Sequence, residues 1–329
     1  MLEKVVDFLQ SNNIKYEENV LLSRKTWIRR GGKCKCFITP ESSSQLKKLI
    51  VFLYTNDIHF FVLGHSSNVY ILNSCDIDIV VSTLHCRNYK LSEKNYISCD
   101  AGVSVKNLAR DMVKKGIIGF EYLTELPGTV GGALYNNSSC ITNSLSELLL
   151  EVEFVRNDGK ILFLTPNDLE FSFRSSILKE KRLEGTIISL KFKVEYGNPR
   201  FLEKIVEYNT KSRIGLIESN AHNLGCTVNR CFINGKMPLK YSIPSRIYNK
   251  ILLIIEKDSL KRKIKSRDFL CKITGFSNLA KYISPKNIII FMWTDDGADK
   301  EFPRYLDFMK KVFKTDKVEI EIIKKYGQD

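Results

Sequence analysis

The chain has 329 residues, long enough to bury a large core and to form two or three domains. Its hydrophobic content of 43% and charged content of 27% are typical of soluble globular proteins, and it has no run of 18 apolar residues to span a membrane. The formal net charge of +14 favours an anionic partner, but the one dense basic cluster, at 257–268, contains no aromatic residue to stack on bases. We therefore expect a small anionic substrate, no nucleic acid and no membrane.

The nine cysteines are scattered along the chain and form no recognisable framework. The closest pair, Cys34 and Cys36, has the wrong spacing for a C-x-x-C metal or redox site. The N-terminal segment "MLEKVVDFLQSNN" lacks the charged and then apolar pattern of a signal peptide. These features predict reduced thiols, no metal and a cytoplasmic location.

In chain order, the first 20 residues are predicted to be helical, with apolar side chains of "LEKVVDFLQSNN" on one face. A strand at 34–40, a helix at 42–57 that begins at serines, and a strand at 58–64 then form a βαβ-type unit. Further strands are expected at 77–83 and 96–102, followed by a helix that ends at Gly116. The second strand of the βαβ unit leads directly into a small-residue loop.

The second half of the chain begins with a predicted hairpin over 149–165, with Asp158 and Gly159 at its turn. A further strand is expected at 185–197, and the residues after about 200 predict a mixture of helices and strands. The chain closes with a helix at 302–315 and a strand at 317–327.

Two loops rich in small residues are the most informative features. The first contains Gly64, His65, Ser66, Ser67 and Asn68. The second, "GFEYLTELPGTVGGALYNN" at 119–137, crowds Pro127, Gly128, Thr129, Gly131 and Gly132 into one short turn. Such loops let the backbone approach a ligand and direct N–H groups at it, so two of them on buried strands suit the diphosphate of a dinucleotide. Each alone could be an ordinary turn, and neither has Rossmann or P-loop spacing.

Six motifs in order resemble those of the UDP-N-acetylenolpyruvoylglucosamine reductase family, within the vanillyl-alcohol-oxidase-like FAD proteins. They are "KTWIRRGG" at 25–32, "LGHSSN" at 63–68, the 119–137 loop, "FSFRSSILK" at 171–179, "LGCTVNR" at 224–230 and "VEIEI" at 318–322. The resemblance covers most of residues 20–230 and the tail, and is weak between about 231 and 285.

The resemblance implies an α+β fold with two FAD-binding subdomains and a C-terminal substrate-binding domain. The expected boundaries are 1–75, joined by 312–329, for the first subdomain, 76–212 for the second, and 213–311 for the substrate-binding domain. It also implies ping-pong reduction of UDP-N-acetylglucosamine enolpyruvate by an FAD enzyme that uses NADPH, in peptidoglycan precursor synthesis. We expect a monomer that binds a nucleotide sugar.

Three residues take catalytic positions by this resemblance. Arg174 corresponds to an arginine that holds the substrate carboxylate, for which its planar paired donors are suited. Cys226 stands where the family has a proton-donating serine, and a thiol can also act as an acid. Glu321 corresponds to the last catalytic glutamate, although strand alternation alone would place it in solvent. The alternatives are a surface arginine and a small buried cysteine.

The two loops would hold the diphosphate of FAD, and Ile187 would line the ring system or the adenine pocket. Asn137, Arg213 and Arg230 are the expected substrate-binding residues. His65 lies where related flavoproteins attach the flavin covalently, so an 8α link through His65 is a further hypothesis.

Several positions depart from the family pattern. Phe173 replaces a tyrosine, and Asn229 and Arg230 replace a lysine and an asparagine. A different nucleotide-sugar substrate therefore stays open, as does a non-catalytic FAD-binding protein.

Overall fold

A computed structural model describes residues 1–140, 143–214, 222–228 and 237–324. Eight α-helices and thirteen strands are assigned there, and short 3₁₀ turns connect some of them. The helices are α1 Leu2–Ser11, α2 Ser43–Thr55, α3 Val105–Lys114, α4 Val130–Tyr135, α5 Pro199–Ile214, α6 Leu239–Ile255, α7 Ser259–Thr274 and α8 Ala298–Phe313. The strands are β1 Lys15–Leu21, β2 Lys33–Thr39, β3 Phe61–Leu63, β4 Val69–Ile71, β5 Ile77–Ser82, β6 Tyr89–Leu91, β7 Tyr96–Asp100, β8 Ser139–Cys140, β9 Asn143–Ser144, β10 Leu149–Arg156, β11 Ile161–Leu164, β12 Gly185–Lys193 and β13 Glu321–Ile323.

A four-stranded sheet in the order β1-β2-β5-β3 forms the N-terminal part of the molecule. Strands β2, β5 and β3 are parallel, and α2 connects β2 to β3, as predicted for a βαβ unit. Ser42 caps α2 by accepting a hydrogen bond from the Gln45 amide. Leu46, Leu49 and Leu53 of α2 are buried in this core. The packed helix α2 thus supports the sheet whose strand β3 leads into the first loop.

The prediction that the first 20 residues are helical is wrong in its second half. Helix α1 ends at Ser11, and Lys15–Leu21 forms a strand antiparallel to β2. Asn13 adopts a left-handed conformation (φ +50°), which ends the helix, and the following Ile14 is buried. The only apolar residue of the strand that is buried is Val20, so its hydrophobic pattern is too weak to predict a strand.

A five-stranded sheet in the order β11-β10-β12-β7-β6 forms a second layer, with antiparallel neighbours throughout. The predicted hairpin at Asp158–Gly159 is present as β10 and β11. Helix α3 packs its apolar side on this sheet, with Leu108, Ala109 and Met112 fully buried. Helix α4 begins in the second glycine loop and packs against β12, so this sheet supports that loop.

The described residues between 237 and 313 form helices joined by loops, with isolated bridges and no strand, so the expected mixture of helices and strands is wrong for this part. The core here is aromatic: Phe291, Trp293, Phe302 and Tyr305 pack with ring centroids 4.9–6.3 Å apart. The predicted C-terminal strand is present but short. It runs parallel to β4, beside the first small-residue loop. Among the described residues, no helix combines the length and apolarity required to cross a bilayer.

Candidate functional site

The first small-residue loop follows β3 and is held in a sharp turn. Ser66 is buried in a left-handed conformation (φ +54°), and its Oγ accepts a 2.7 Å hydrogen bond from the Trp27 amide. The Trp27 ring lies 4.9 Å from the His65 ring, centroid to centroid. A non-glycine residue in this backbone region is costly and persists only when its surroundings fix it. The hydrogen bond from the Trp27 amide helps to hold Ser66 in this conformation.

The second loop leads into α4, which Thr129 caps by accepting a hydrogen bond from the Gly132 amide. The amides of Val130 and Gly131 donate to the carbonyls of Val103 and Ala101, each at 2.8 Å. These three amides of the second loop are therefore used within the protein. Their bonds fix the loop against the segment that follows β7.

The structure brings the two loops into direct contact. A Cβ atom added to Gly64 would lie 2.5 Å from Thr129 Oγ1, and one added to Gly128 would lie 3.1 Å from Ser67 Oγ. Gly128 also has a φ of +113°, which side-chain-bearing residues rarely adopt. Glycine is thus required at the junction, because the two backbones approach more closely than a side chain allows.

The residues present fit the diphosphate of a dinucleotide. Among the described residues, the amides of 64–68, Gly128 and Thr129 donate no hydrogen bond within the protein, so these donors of the two loops are available to a ligand. His65 Nδ1 is buried without a partner, and burial lowers the pKa of the imidazole, which favours its neutral form. Unused donors in a concave backbone are the chemistry that binds phosphate oxygens.

The C-terminal strand carries two carboxylates to the edge of this loop pair. The Glu321 amide donates to the Asn68 carbonyl, and the Asn68 side chain donates to the Glu319 carbonyl. Neither glutamate is solvent-facing, contrary to what alternation alone predicts. Burial raises the pKa of both carboxyls, and Asn136, which donates to Glu321 Oε1 at 3.0 Å, opposes that rise at Glu321.

Two cations complete this cluster. Arg174 Nε lies 3.0 Å from Glu319 Oε1, but its N–H is not directed at the oxygen, so the contact is an ion pair and the hydrogen is unused. Lys179 is half-buried, and burial lowers its pKa although Glu321 and Glu319 act in the opposite direction. We call Arg174, Lys179, Glu319 and Glu321 the charged cluster. The charged cluster combines two cationic side chains with two carboxyl groups. The pKa of each carboxyl is raised, so both keep their protons to higher pH than usual.

Arg174 stands at the tip of a tight turn, with φ +57°. Ser172 and Ser175 exchange both backbone hydrogen bonds at 3.1 Å, and Asn137 Nδ2 donates to the Ser172 carbonyl at 2.7 Å. The backbone of the arginine is therefore held by the second glycine loop, since Asn137 ends that loop.

Comparison with known proteins agrees with this arrangement. A family model described as FAD binding domain matches residues 34–165. A UDP-N-acetylenolpyruvoylglucosamine reductase of Bacillus subtilis (strain 168) is 30% identical over 182 residues, which are 55% of this chain and 60% of that protein. One of Clostridium botulinum (strain Eklund 17B / Type B) is 29% identical over 197 residues, which are 60% and 64% of the two chains. The crystal structure of the Thermus caldophilus reductase shares the fold, with a TM-score of 0.67 and 19% identity over 94% of this chain and 99% of that one.

The chain is therefore similar to UDP-N-acetylenolpyruvoylglucosamine reductases over part of its length and contains a match to an FAD binding domain. It aligns with about 60% of the length of the curated relatives named above. The predicted fold class is confirmed: the fold is α+β, with FAD-binding subdomains and a C-terminal domain. The exact domain boundaries stay a prediction.

The donor-loop cysteine of the reductase family pattern lies near the charged cluster. Cys226 is half-buried, and the next residue, Thr227, accepts a hydrogen bond from the Glu319 amide at 2.8 Å. Val228 forms a bridge with Val318. In the 222–228 segment, the carbonyl of Asn223 also accepts a hydrogen bond from the indole N–H of Trp27. It is therefore fixed both to the first loop region and to the strand of the two glutamates.

Other predicted reductase residues are less central. Asn137 is buried; its side-chain amide donates to the Ser172 carbonyl and accepts from the Ser146 hydroxyl, so it supports the turn that carries Arg174. Binding of substrate by Asn137 stays a prediction. Ile187 is buried in the core of the five-stranded sheet, and Pro127 is exposed. Arg213 is half-buried in the last turn of α5. Arg230 and Asn229 lie outside the described residues.

Sequence reasoning missed Lys179, Glu319 and Asn136. Lys179 is the last residue of the motif "FSFRSSILK", so the resemblance itself contained the signal. Glu319 and Asn136 also lie within quoted motifs, at 318–322 and 119–137, but their roles depend on contacts between segments far apart in the chain.

A cavity of about 850 Å³ lies elsewhere, between α1 and the β1–β2 edge. None of the predicted site residues lines it, so we place the candidate site at the two loops and the charged cluster, where the polar groups converge.

Proposed function

We propose that this protein is an FAD-dependent, NADPH-driven reductase of UDP-N-acetylglucosamine enolpyruvate that forms UDP-N-acetylmuramate in peptidoglycan precursor synthesis. Similarity to curated UDP-N-acetylenolpyruvoylglucosamine reductases supports the reaction. The observation that carries the proposal is the charged cluster beside the paired glycine loops. We infer from that arrangement a diphosphate site with a carboxylate site beside it.

The first and second loops would hold FAD, with the free amides of 64–68, Gly128 and Thr129 on its diphosphate. FAD, when bound, would supply the hydride that NADPH provides. The chain's own residues bind and orient the substrate and handle its protons.

Arg174 is proposed to bind the carboxylate of the enolpyruvyl group. Its buried Nε hydrogen has no directed partner in the protein, and a substrate carboxylate could accept it. Adding hydride to an enol ether next to a carboxylate builds negative charge at that end of the substrate. A fixed guanidinium close to that charge lowers the barrier. Glu319 would keep the side chain of Arg174 in place by its ion pair.

Cys226 and Glu321 are the proposed proton carriers. The Cys226 Sγ–H would donate the proton that completes reduction of the double bond. The raised pKa of Glu321 keeps a proton on its carboxyl at higher pH than an exposed glutamate allows, so Glu321 could donate a hydrogen bond or a proton.

A second candidate, reduction of a different nucleotide sugar by the same site, is favoured by Phe173. Where the family pattern has a tyrosine, this side chain carries no hydroxyl and is 59% exposed. A site that loses a hydrogen-bonding group also loses the discrimination that depends on it.

The test begins with the absorbance spectrum of the purified protein and its NADPH oxidation with and without the enolpyruvyl substrate. Arg174→Ala should lower kcat/KM by about 10²–10³-fold, and Cys226→Ala by a similar factor, while Cys226→Ser keeps more activity. Arg182→Ala is the matched control, because Arg182 is half-exposed and pairs with Glu170 and Glu180 on the surface.

The outcomes separate the candidates. Flavin with turnover only on other nucleotide sugars would favour the second candidate, and flavin without any turnover would indicate a non-catalytic FAD-binding protein. A colourless protein that does not take up FAD would contradict the proposal. Running the same assay with NADH tests the NADPH preference, and a flavin that stays attached after denaturation would support the His65 link.

A further inference from the structure

Helix α6, which lies in the C-terminal region away from the charged cluster, exposes a continuous apolar surface. Ile243, Ile247, Ile251 and Ile255 recur every four residues and are 50%, 56%, 47% and 67% exposed. Residues at this spacing lie along one side of a helix. Four more large aliphatic residues of this region are also exposed, and they are Leu239, Leu253, Ile254 and Leu260.

All eight residues are 47–82% exposed and fall within residues 239–260, so this apolar surface is more than a set of single scattered side chains. Surfaces of this kind indicate a site of interaction. The remaining question is which partner it fits.

The charges around the patch are mainly positive. Lys240, Arg246 and Lys250 are exposed on α6, which contains no Asp or Glu. Helix α7, packed against α6 through the stacked rings of Tyr248 and Phe269, carries six Lys and Arg residues and a single carboxylate, Asp268. Two further carboxylates, Glu256 and Asp258, lie between the two helices, so the surroundings of the apolar stripe are predominantly but not only cationic.

A cavity of about 410 Å³ lies between α6, α7 and the 284–288 segment. Its lining includes Arg262, Lys263, Arg267 and Lys286 and no carboxylate. Arg262 donates to the carbonyls of Glu256 and Lys257, whereas Arg267 donates to the Ile283 carbonyl and also to the Asp268 carboxylate, so contacts within the protein hold both guanidinium groups at the wall. Phosphate is the anion that such donors bind best.

We propose that α6 and α7 form a docking surface for an anionic phospholipid membrane. The isoleucines of α6 enter the boundary between headgroups and acyl chains, the lysines face the headgroups, and the cavity receives a lipid phosphate. A helix with a broad apolar side and basic neighbours binds membranes in this way without spanning them. A second copy of the chain fits less well, because a symmetric contact through α6 would bring the lysines and arginines of both copies together.

This proposal revises the expectation of no membrane contact. It does not depend on the reductase activity, so its test uses binding and not turnover. The full-length protein is mixed with vesicles of phosphatidylcholine alone, or of phosphatidylcholine with 30% phosphatidylglycerol, and the bound fraction is measured by co-sedimentation. We expect at least tenfold tighter binding to the anionic vesicles, decreasing as salt is raised.

Two pairs of variants test the surface. Ile247→Asp with Ile251→Asp should lower the partition constant at least tenfold, whereas Ile161→Asp with Phe163→Asp, on the exposed strand β11, should leave it unchanged. Lys250→Glu with Lys261→Glu should lower it by about 25-fold or more, since each basic residue near an anionic surface contributes a factor of about 5. Lys94→Glu with Lys114→Glu makes the same charge change elsewhere and is the matched control.

Hydrogen exchange on the wild-type protein avoids any dependence on the folding of variants. Anionic vesicles should protect amides of α6 and α7 and leave those of α3 unchanged. No binding at low salt, equal loss in the control variants, or no protection of α6 would each overturn the proposal. A wild-type dimer that Ile247→Asp dissociates would also overturn it, in favour of a second copy.

Discussion

Replacing Gly64 with alanine should separate the two loops that form the candidate diphosphate site. The added Cβ would lie 2.5 Å from Thr129 Oγ1, a distance that real Cβ atoms do not show. Because Thr129 caps α4 through that same oxygen, it cannot rotate away without losing the hydrogen bond to the Gly132 amide. Overpacking of this kind costs about 1–3 kcal/mol, which corresponds to about 5- to 150-fold in the dissociation constant if the loops must close on FAD.

The assay is a fluorescence titration of FAD with the apoprotein, accompanied by urea unfolding. Gly132→Ala is the matched control in the same loop, because its Cβ would lie 3.3 Å from Thr129 Oγ1, an approach that a small adjustment relieves. Alanine also suits a helical position better than glycine by about 1 kcal/mol. We therefore expect wild-type FAD affinity for Gly132→Ala.

A double mutant tests the cause. Thr129→Ala alone should cost about 1 kcal/mol of stability through loss of the cap. In the Gly64→Ala, Thr129→Ala protein the clash is removed, so the combined loss should be smaller than the two single losses added together. Strict additivity, or unchanged FAD affinity in Gly64→Ala, would refute the steric reasoning.

Three further predictions concern the surroundings of the site. The folded pKa of Glu321 is raised above its ordinary 4.5, so its contribution to stability is complete below about pH 4.5 and is lost as the pH rises through the folded pKa. Urea unfolding at several pH values should therefore show a smaller decrease in the free energy of unfolding with rising pH for Glu321→Gln than for the wild type. Asn137→Ala leaves the Ser172 carbonyl without its side-chain donor and should cost about 1–3 kcal/mol, whereas a change below 0.5 kcal/mol would contradict its role as a support of the Arg174 turn. Burial raises the pKa of Cys36 and of Cys86 to about 12, so a thiol reagent at pH 8 should label these two only after denaturant is added, as peptide mapping would reveal.

Much of the framework could be predicted from the sequence because local signals were strong. A run of serines predicted the start of α2, Gly116 predicted the end of α3, and Asp158–Gly159 predicted the hairpin of β10 and β11. Strand β1 was missed because it pairs at the edge of its sheet and buries only Val20 among its apolar residues. The helical character of 237–313 was missed because its core is built from aromatic residues of several segments, which have no common period.

The charged cluster illustrates what sequence alone cannot predict. Glu319 and Glu321 alternate with apolar residues, so a pattern of period two assigns them to solvent. Their burial follows from pairing of β13 with β4, over 240 positions earlier in the chain. Only that pairing brings the two carboxylates to Arg174 and Lys179, and the pKa shifts then follow from the shared burial.

The same pairing links stability to function in this fold. The bonds that the Asn68 carbonyl and side-chain amide form with the C-terminal segment hold the first loop and the two glutamates in one unit. Asn136, at the end of α4, connects the second loop to Glu321. A substitution that weakens the pairing of β13 therefore moves the acid groups and the diphosphate loops together. Loss of FAD affinity and loss of catalysis should then occur in the same variants, whereas changes at Arg174 alone should affect catalysis and leave FAD binding unchanged.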